Sequence, residues 1–297
     1  MIRITKARAG FFALLCSLAL SCVGGAKTKS PEPTPSTVTP SPSPSKSPKT
    51  KIVRTPVLIK ESRYVGKDVL DSYTVFEYNP NYGALLDKLV YDAQRSAPVS
   101  RTVYDYSGGL VSAETGYTGS DKASSSRISY AYDSKGRRIE EKRQDAANNV
   151  LLTSRYEYNE SGQKKAWRIY LAGDLLVAET LYEYAKGELA RIVMKNGKNE
   201  YLSAIDITRD KKGREASRIN KTIRNITESF EEYGYDGDRL ASERKTGPSG
   251  KLLLTVYYEY KGTSDLPAKK TIKAPDGKVK EYTVYEYAYK EEEVPIE

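Results

Sequence analysis

The decapeptide YAYDSKGRRI at residues 130–139 contains the unit from which the fold is predicted. Its two tyrosines are one residue apart, which directs both side chains to the same face of a β-strand. The residues that follow, Asp133 to Gly136, are turn formers, because aspartate accepts hydrogen bonds from its own turn and glycine adopts a positive φ. A strand, a tight turn and the start of a second strand are therefore predicted within ten residues.

The same unit recurs along the chain with successive spacings of 25 to 28 residues. A second turn, such as Asn196-Gly197 or Asp276-Gly277, follows each pair about thirteen residues later. Two turns per repeat predict two strands per repeat. The nine pairs, some of them degenerate, are Phe76/Tyr78, Tyr104/Tyr106, Tyr130/Tyr132, Tyr156/Tyr158, Tyr182/Tyr184, Ile207/Arg209, Tyr233/Tyr235, Tyr258/Tyr260 and Tyr285/Tyr287.

Between turns, apolar and polar residues alternate with a period of two. The segment VLLTSRYEY at residues 150–158 places both tyrosines on one face, and Arg155 and Glu157 on the other. This pattern is typical of antiparallel strands with one buried side. We predict an all-β fold: a long antiparallel meander of about 18 short strands from nine hairpin repeats, curled or rolled into a sheet with one apolar face. A rolled shell, a two-layer stack or a closed barrel would each cover that face. The charged outer positions lack the apolar band of a membrane barrel, which favours a soluble domain.

The unit at 130–139 resembles the YD or RHS repeat, whose pattern is Tyr-x-Tyr-Asp, two residues, Gly-Arg and an aliphatic residue. Residues 233–240 are a looser copy, and residues 184–187 and 195–198 are similar to MORN-like or YwqK-like envelope repeats. The resemblance implies β-hairpin repeats, and neither family dictates a reaction. Repeats in the YD family are nearer twenty residues, so the longer unit found here implies longer strands.

The amino-terminal residues 1–21 have the order of a bacterial export signal. Basic residues at positions 3, 6 and 8 precede an apolar run from Ala9 to Leu20, which is too short to cross a hydrocarbon core of ~30 Å. The run ends in Ser21-Cys22 and resembles the cleavage motif of bacterial lipoproteins, although Ala19 replaces the usual leucine. The resemblance implies lipidation at Cys22 and a lipid anchor in the bacterial cell envelope, with the domain periplasmic or surface-exposed.

Residues 22–54 are predicted to be the lipidated cysteine and a disordered tether, because proline, serine, threonine and lysine dominate them and cannot form a core. Fully extended, the tether reaches on the order of 100 Å. Residues 55–297 are assigned to a tyrosine-rich β-repeat domain. Nine of the 48 basic residues and one of the 39 acidic residues precede residue 55, which leaves 39 and 38 in that domain. A nearly neutral domain gives no support for nucleic-acid binding.

Histidine is absent, and the only cysteines are Cys16 and Cys22. Ser-His-Asp and Cys-His catalysis are therefore impossible, and zinc and haem sites lack their usual ligands. We predict no catalytic, cofactor-binding or metal-binding residue. A carboxylate pair that cleaves glycans is the main alternative. The candidate acids recur between paired tyrosines, which is typical of an architectural position; they are Glu157, Glu183, Glu259 and Glu286.

Most tyrosines are expected to pack one face of the sheet. Four lie out of phase with that face or beyond the last pair, and these are the candidate partner-binding aromatics: Tyr170, Tyr257, Tyr282 and Tyr289. The sequence therefore predicts a non-enzymatic, membrane-anchored envelope lipoprotein that binds a protein or polysaccharide partner. The alternatives are a glycan-processing enzyme with paired carboxylates, and an accessory or immunity protein of a repeat-type toxin.

Overall fold

A computed structural model describes residues 50–80, 83–119 and 123–295. Cys22, the predicted export signal and the tether up to residue 49 lie outside these ranges. The described residues form 18 β-strands. The strands are β1 Thr50–Val65, β2 Val69–Tyr78, β3 Leu85–Asp92, β4 Ser100–Ser107, β5 Leu110–Thr118, β6 Ser126–Tyr132, β7 Arg138–Asp145, β8 Val150–Tyr158, β9 Lys164–Leu171, β10 Leu175–Ala185, β11 Glu188–Asn196, β12 Tyr201–Arg209, β13 Glu215–Lys221, β14 Thr227–Asp236, β15 Arg239–Thr246, β16 Leu252–Tyr260, β17 Pro267–Lys273 and β18 Val279–Pro295.

The sheet is a closed antiparallel β-barrel. Each strand pairs with its neighbours in sequence, and β1 also pairs with β18, with partners from Thr50↔Pro295 to Val65↔Glu281. The predicted meander of about 18 strands is confirmed, but the prediction of a curled or rolled open sheet is wrong. Closure pairs the backbone groups that two free sheet edges would otherwise leave exposed. The seam joins strands from opposite ends of the domain, which the repeat pattern alone does not reveal.

Each tyrosine pair lies opposite a one-residue bulge on the next strand, beside the second position of the pair. In the β6–β7 ladder, Ala131 pairs with Glu140 and Tyr132 with Arg138, which leaves Ile139 as the extra residue. A bulge increases the local twist of the strand. The same shift occurs in the closing β18–β1 ladder, between Leu58 and Lys60. The seam therefore has the geometry of an ordinary repeat.

The turn that follows the Tyr130/Tyr132 pair is held by its own aspartate and arginine. The Asp133 carboxylate accepts hydrogen bonds from the backbone amides of Lys135 and Arg137, each at 2.9 Å, and Arg137 Nε donates to it at 2.7 Å. These bonds hold the pKa of Asp133 below its usual value, with the Arg137 amide as the largest cause. The Arg137 guanidinium also lies over the ring of Tyr158, 4.6 Å from its centre. Asp210, Arg214 and Tyr235 repeat this arrangement.

The paired tyrosines face the inside of the barrel. Burial is the first cause that raises the pKa of Tyr104 and Tyr285 to about 12. On the same face, side chains of β11 to β15, including Met194 and Lys245, converge on a cavity of about 330 Å³. Convergence of several strands on one cavity identifies this face as the concave one.

The interior is a lumen rather than a packed core. A circular barrel of 18 strands has a backbone diameter of roughly 35 Å at ordinary strand spacing and tilt. Among the described residues, no large side chain is completely enclosed. The buried apolar residues of this part are Ala113, Ala166, Val193, Ala204, Ile207 and Val256.

β1 and β18 continue past the barrel as a two-stranded ribbon. Residues 50–57 pair with residues 288–295, whereas the β1–β2 ladder begins at Lys60. Residues 50–54, which the sequence assigned to the tether, belong to this ribbon. Every ladder of the described strands lies within residues 50–295, and residues 49–297 form one compact unit.

Candidate functional site

Two of the four candidate aromatics, Tyr170 and Tyr257, lie on the outer face of the barrel. The Arg155 guanidinium lies 4.7 Å from the centre of the Tyr170 ring, and Lys273 Nζ lies 4.9 Å from that of Tyr257. Cations at these distances attract the negative face of a ring. Each ring therefore has one face occupied by a neighbouring strand.

Tyr282 is covered on both sides. Its ring stacks on Tyr64 with centres 4.7 Å apart and planes 9° apart, and Lys269 Nζ lies 4.6 Å from its centre. Its hydroxyl donates to Asp68 Oδ1 at 2.8 Å, and this bond is the main cause that raises its pKa to about 12. These contacts connect β17, β18, β1 and the turn after β1, so Tyr282 reinforces the seam.

A second outer stack, which the sequence reasoning missed, lies beside the first. The rings of Tyr73 and Tyr91 are 4.6 Å apart with planes 6° apart, and Lys60 Nζ lies 5.4 Å from the Tyr73 ring. Tyr73 is three residues before Phe76. Because side chains alternate between the two faces of a strand, an odd separation from the inward-facing Phe76 could have assigned Tyr73 to the outer face. Tyr282 shares the row Tyr257–Thr271–Tyr282 with Tyr257. Tyr73 lies on β2, which pairs with β1 on the side away from β18.

Tyr289 lies apart from the other candidates, on the ribbon. It is 62 % exposed, and within the described residues its ring has no stacking or cation contact. It borders a cavity of about 390 Å³ where the ribbon leaves the barrel. The cavity is also lined by Pro56 and by residues of the β16–β17 loop, namely Lys261, Thr263, Ser264, Asp265 and Leu266.

The β16–β17 loop is supported from the neighbouring hairpin. Arg239 Nη1 donates to the carbonyls of Gly262 at 3.0 Å and Ser264 at 3.4 Å, and its guanidinium lies over Tyr260. The Ser264 hydroxyl accepts the Leu266 amide at 3.1 Å. The cavity therefore combines a free aromatic ring with a braced loop that carries a carboxylate, an ammonium group and two hydroxyls. A ligand site combines apolar or aromatic surface with a few placed polar groups, and this cavity supplies both.

The repeated acids between paired tyrosines lie on the outer face, where three of the four are paired with basic residues of the next strand. Glu157 is paired with Arg168, Glu259 with Lys269 at 3.7 Å and Glu286 with Lys60 at 3.5 Å. Glu183 is the registered partner of Arg191. Their side chains form ladder contacts, and none of these contacts assembles two carboxylates at a cavity.

A different set of acids, which the sequence reasoning missed, faces the lumen. Each accepts a hydrogen bond from the first tyrosine of a pair, and in other repeats the same position carries a different residue, such as Trp167. The sequence repeat therefore did not single out these acids. The pairs are Tyr130 with Glu114 at 2.6 Å, Tyr156 with Glu141 at 3.1 Å and Tyr258 with Glu243 at 2.6 Å.

In residues 50–80, 83–119 and 123–295, no cluster of three acidic, cysteine or histidine side chains could hold a metal ion. Among the helices of that part of the chain, none is long and apolar enough to span a membrane.

No protein-family model matches the chain, and no curated protein matches it. Solved structures with a similar arrangement include a porin-like protein from Bacteroides uniformis, with 12 % identity, a TM-score of 0.44 and coverage of 78 % of this chain and 98 % of that one. A porin-like protein from Bacteroides vulgatus has 11 % identity, a TM-score of 0.38 and the same coverage. The complex of TcdB2 and TccC3 has 13 % identity, a TM-score of 0.30 and coverage of 74 % of this chain, which spans 16 % of that chain.

Proposed function

We propose that this protein is a lipid-anchored binding scaffold of the bacterial cell envelope, without enzymatic activity, and that its ligand is a polysaccharide. Export and anchoring rest on the signal-like residues 1–21 and on Cys22. The barrel presents its most exposed candidate aromatic, Tyr289, on the ribbon.

The observation that carries the proposal is the cavity beside Tyr289. The C–H bonds of a sugar ring carry partial positive charge and pack against the negative face of an aromatic ring. Asp265 and Thr263 line the same cavity and supply acceptors and a donor for sugar hydroxyls. Lys261 adds a cation that suits an acidic sugar.

The contacts of the acids support a non-enzymatic role. The lumenal carboxylates of Glu114 and Glu243 are bound by tyrosine hydroxyls at 2.6 Å, and the outer carboxylate of Glu157 is bound by Arg168. Glycoside cleavage needs two carboxyl groups that face one substrate.

Affinity electrophoresis through gels that contain soluble neutral and acidic polysaccharides tests this proposal. We expect at least one polysaccharide to retard the wild-type protein, and the Tyr289→Ala variant to lose most of that retardation. Tyr257→Ala is the matched control, because Tyr257 is also exposed but lies on the sheet. Equal retardation of wild type and Tyr289→Ala would remove the cavity from the account, and no retardation by any polysaccharide would remove the ligand class.

A further inference from the structure

Exposed aliphatic side chains collect at the end of the barrel opposite the ribbon. They lie in or next to the turns that join odd strands to the following even strands. Monomeric soluble proteins rarely expose large contiguous apolar patches without a binding role. The residues, which are 37 to 61 % exposed, are Val69, Val150, Leu151, Leu171, Leu175, Ile223, Ile226, Leu253 and Val279.

These side chains form a rim that approximates a plane. The repeats have nearly the same length, register and bulge positions, so rotation about the barrel axis relates them. Residues at equivalent positions then lie at one height around the axis. Such a rim presents many turns at once to a flat surface.

One half of the rim combines the aliphatic residues with cations. It consists of four turns that follow one another around the seam, at residues 222–226, 247–251, 274–278 and 66–68. We call this half, including the strand residues next to the turns, the basic rim. Its aliphatic residues are Val69, Ile223, Ile226, Leu253 and Val279, and its cations without an ion pair among the described residues are Lys67, Arg224, Lys251 and Lys280.

The acids of the basic rim only partly offset these cations. Asp68 accepts the Tyr282 hydroxyl at 2.8 Å, and Asp276 is paired with Lys278 at 3.0 Å. Glu228, beside the first of the four turns, is also exposed, and Asp71, near the last of them, is paired with Arg63 at 3.0 Å. The surface is therefore aliphatic with an excess of positive charge.

We propose that the basic rim docks on an anionic lipid surface. Aliphatic side chains at turn tips insert between headgroups, while neighbouring lysine and arginine side chains attract anionic lipids. A second copy of the chain suits this surface less well, because the cations of two basic rims placed face to face would repel each other. This contact is distinct from the predicted anchor at Cys22, which lies outside the described residues.

The other half of the rim offers a matched control. Leu171 and Leu175 flank a turn with similar aliphatic exposure, but the charged residue of that turn, Asp174, is paired with Arg155 at 2.8 Å. Substitution there removes comparable apolar surface beside a turn whose own charged residue is paired.

Co-sedimentation of residues 49–297 with lipid vesicles tests the proposal, because this segment lacks Cys22 and contains every barrel ladder. We expect binding to vesicles that contain phosphatidylglycerol, weaker binding to pure phosphatidylcholine, and a decrease as salt is added. The double variant Ile223→Ser/Ile226→Ser should bind about tenfold or more weakly, because apolar insertion is lost. Arg224→Glu/Lys251→Glu should abolish the preference for anionic vesicles, and Leu171→Ser/Leu175→Ser should bind nearly as the wild type does.

Two results would overturn the proposal. One is the absence of sedimentation with phosphatidylglycerol vesicles, or sedimentation that both basic-rim variants leave unchanged. The other is a dimer in analytical ultracentrifugation that Ile223→Ser/Ile226→Ser dissociates while vesicle binding is absent, which would assign the rim to a second copy. Circular dichroism of each variant confirms that it is folded.

Discussion

The phenolic hydroxyl of Tyr158 donates a hydrogen bond to the backbone carbonyl of Arg138 at 2.7 Å. Arg138 immediately precedes the bulged residue Ile139, and its carbonyl lies beyond the last registered pair of the β7–β8 ladder. Equivalent bonds of 2.7 to 3.0 Å join Tyr78 to Leu58, Tyr106 to Leu85, Tyr132 to Val111, Tyr184 to Lys164, Tyr235 to Glu215, Tyr260 to Leu240 and Tyr287 to Pro267. In the remaining repeat, Arg209 reaches Leu189 at 3.4 Å.

Tyr158→Phe should lower the free energy of unfolding by about 1–2 kcal/mol, because it leaves a part-buried carbonyl without its donor. Urea unfolding followed by fluorescence measures this change. Tyr170→Phe is the control, since the Tyr170 hydroxyl has no hydrogen bond among the described residues, and its effect should stay below about 0.5 kcal/mol. Equal effects of the two substitutions would contradict a capping role for the second tyrosine.

The closed seam predicts a cross-link between residues that are far apart in sequence. Ser62 and Val284 are registered partners in the β1–β18 ladder. In the segment 49–297, which has no native cysteine, Ser62→Cys combined with Val284→Cys should form a disulfide on mild oxidation and migrate faster on a denaturing gel. Ser62→Cys with Val256→Cys should remain reduced, because Val256 lies on β16. Failure of the first pair to cross-link would argue for an open sheet.

Alkaline pH should destabilise the barrel through its lumenal tyrosines. Burial raises the pKa of Tyr104 and Tyr285 from the ordinary value of 10.0 to about 12. A phenol whose pKa is higher in the folded state keeps its proton longer there, so its contribution to stability is complete below pH 10 and is lost as pH rises toward 12. Urea midpoints should be flat below pH 10 and fall above it. A midpoint that rises over this range would contradict burial of these phenols.

Glu114→Gln should bring the pKa of Tyr130 closer to its ordinary value. Burial and then the hydrogen bond to Glu114 raise this pKa, and the neutral amide removes the charge that opposes ionisation. Ultraviolet titration of tyrosinate should show Tyr130 moving to lower pH, with smaller movements of Tyr104 and Tyr106, whose pKa values the charge of Glu114 also raises. Tyr258, which is bound to Glu243, should not move and serves as the internal control.

Gly136→Ala should destabilise the protein by roughly 1–2 kcal/mol through the backbone. Gly136 has a φ of 73°, and an added Cβ would meet Leu110 only at an ordinary 3.8 Å. Gly136→Asn should cost less, because asparagine tolerates this region, as Asn148 does at a φ of 64°. Thermal unfolding checks the prediction: the melting temperature should fall from wild type to Gly136→Asn to Gly136→Ala. A melting temperature of Gly136→Ala above that of the larger Gly136→Asn would contradict it.

The repeat made most of the fold predictable. The alternation in residues 150–158 marks β8 in full, and the turn residues from Asp133 to Gly136 separate β6 from β7. Closure was not predictable, because β1 contains no tyrosine pair and its first residues, from Thr50, continue the lysine- and threonine-containing tether. Its pairing with β18 depends on the total curvature of eighteen strands, which no local pattern encodes.

The candidate site was predictable only in part. Parity placed Tyr170, Tyr257 and Tyr282 on the outer face, but it could not show that cations and Tyr64 cover their rings. Tyr289 follows the last pair and therefore stood out in the sequence. Its cavity forms because the ribbon passes the β16–β17 loop, which is a long-range relationship.

The proposed lipid-anchored envelope scaffold is tested most directly by following the wild type beside Cys22→Ala in fractionated cells and in intact cells treated with protease. The wild type should be recovered with membranes and labelled by a fatty-acid precursor, whereas Cys22→Ala should be unlabelled and less firmly attached. Cleavage of the barrel from intact cells would place it on the surface, and protection would place it in the periplasm. A wild-type protein that carries no lipid and remains in the cytoplasm would rule out a lipid-anchored envelope protein.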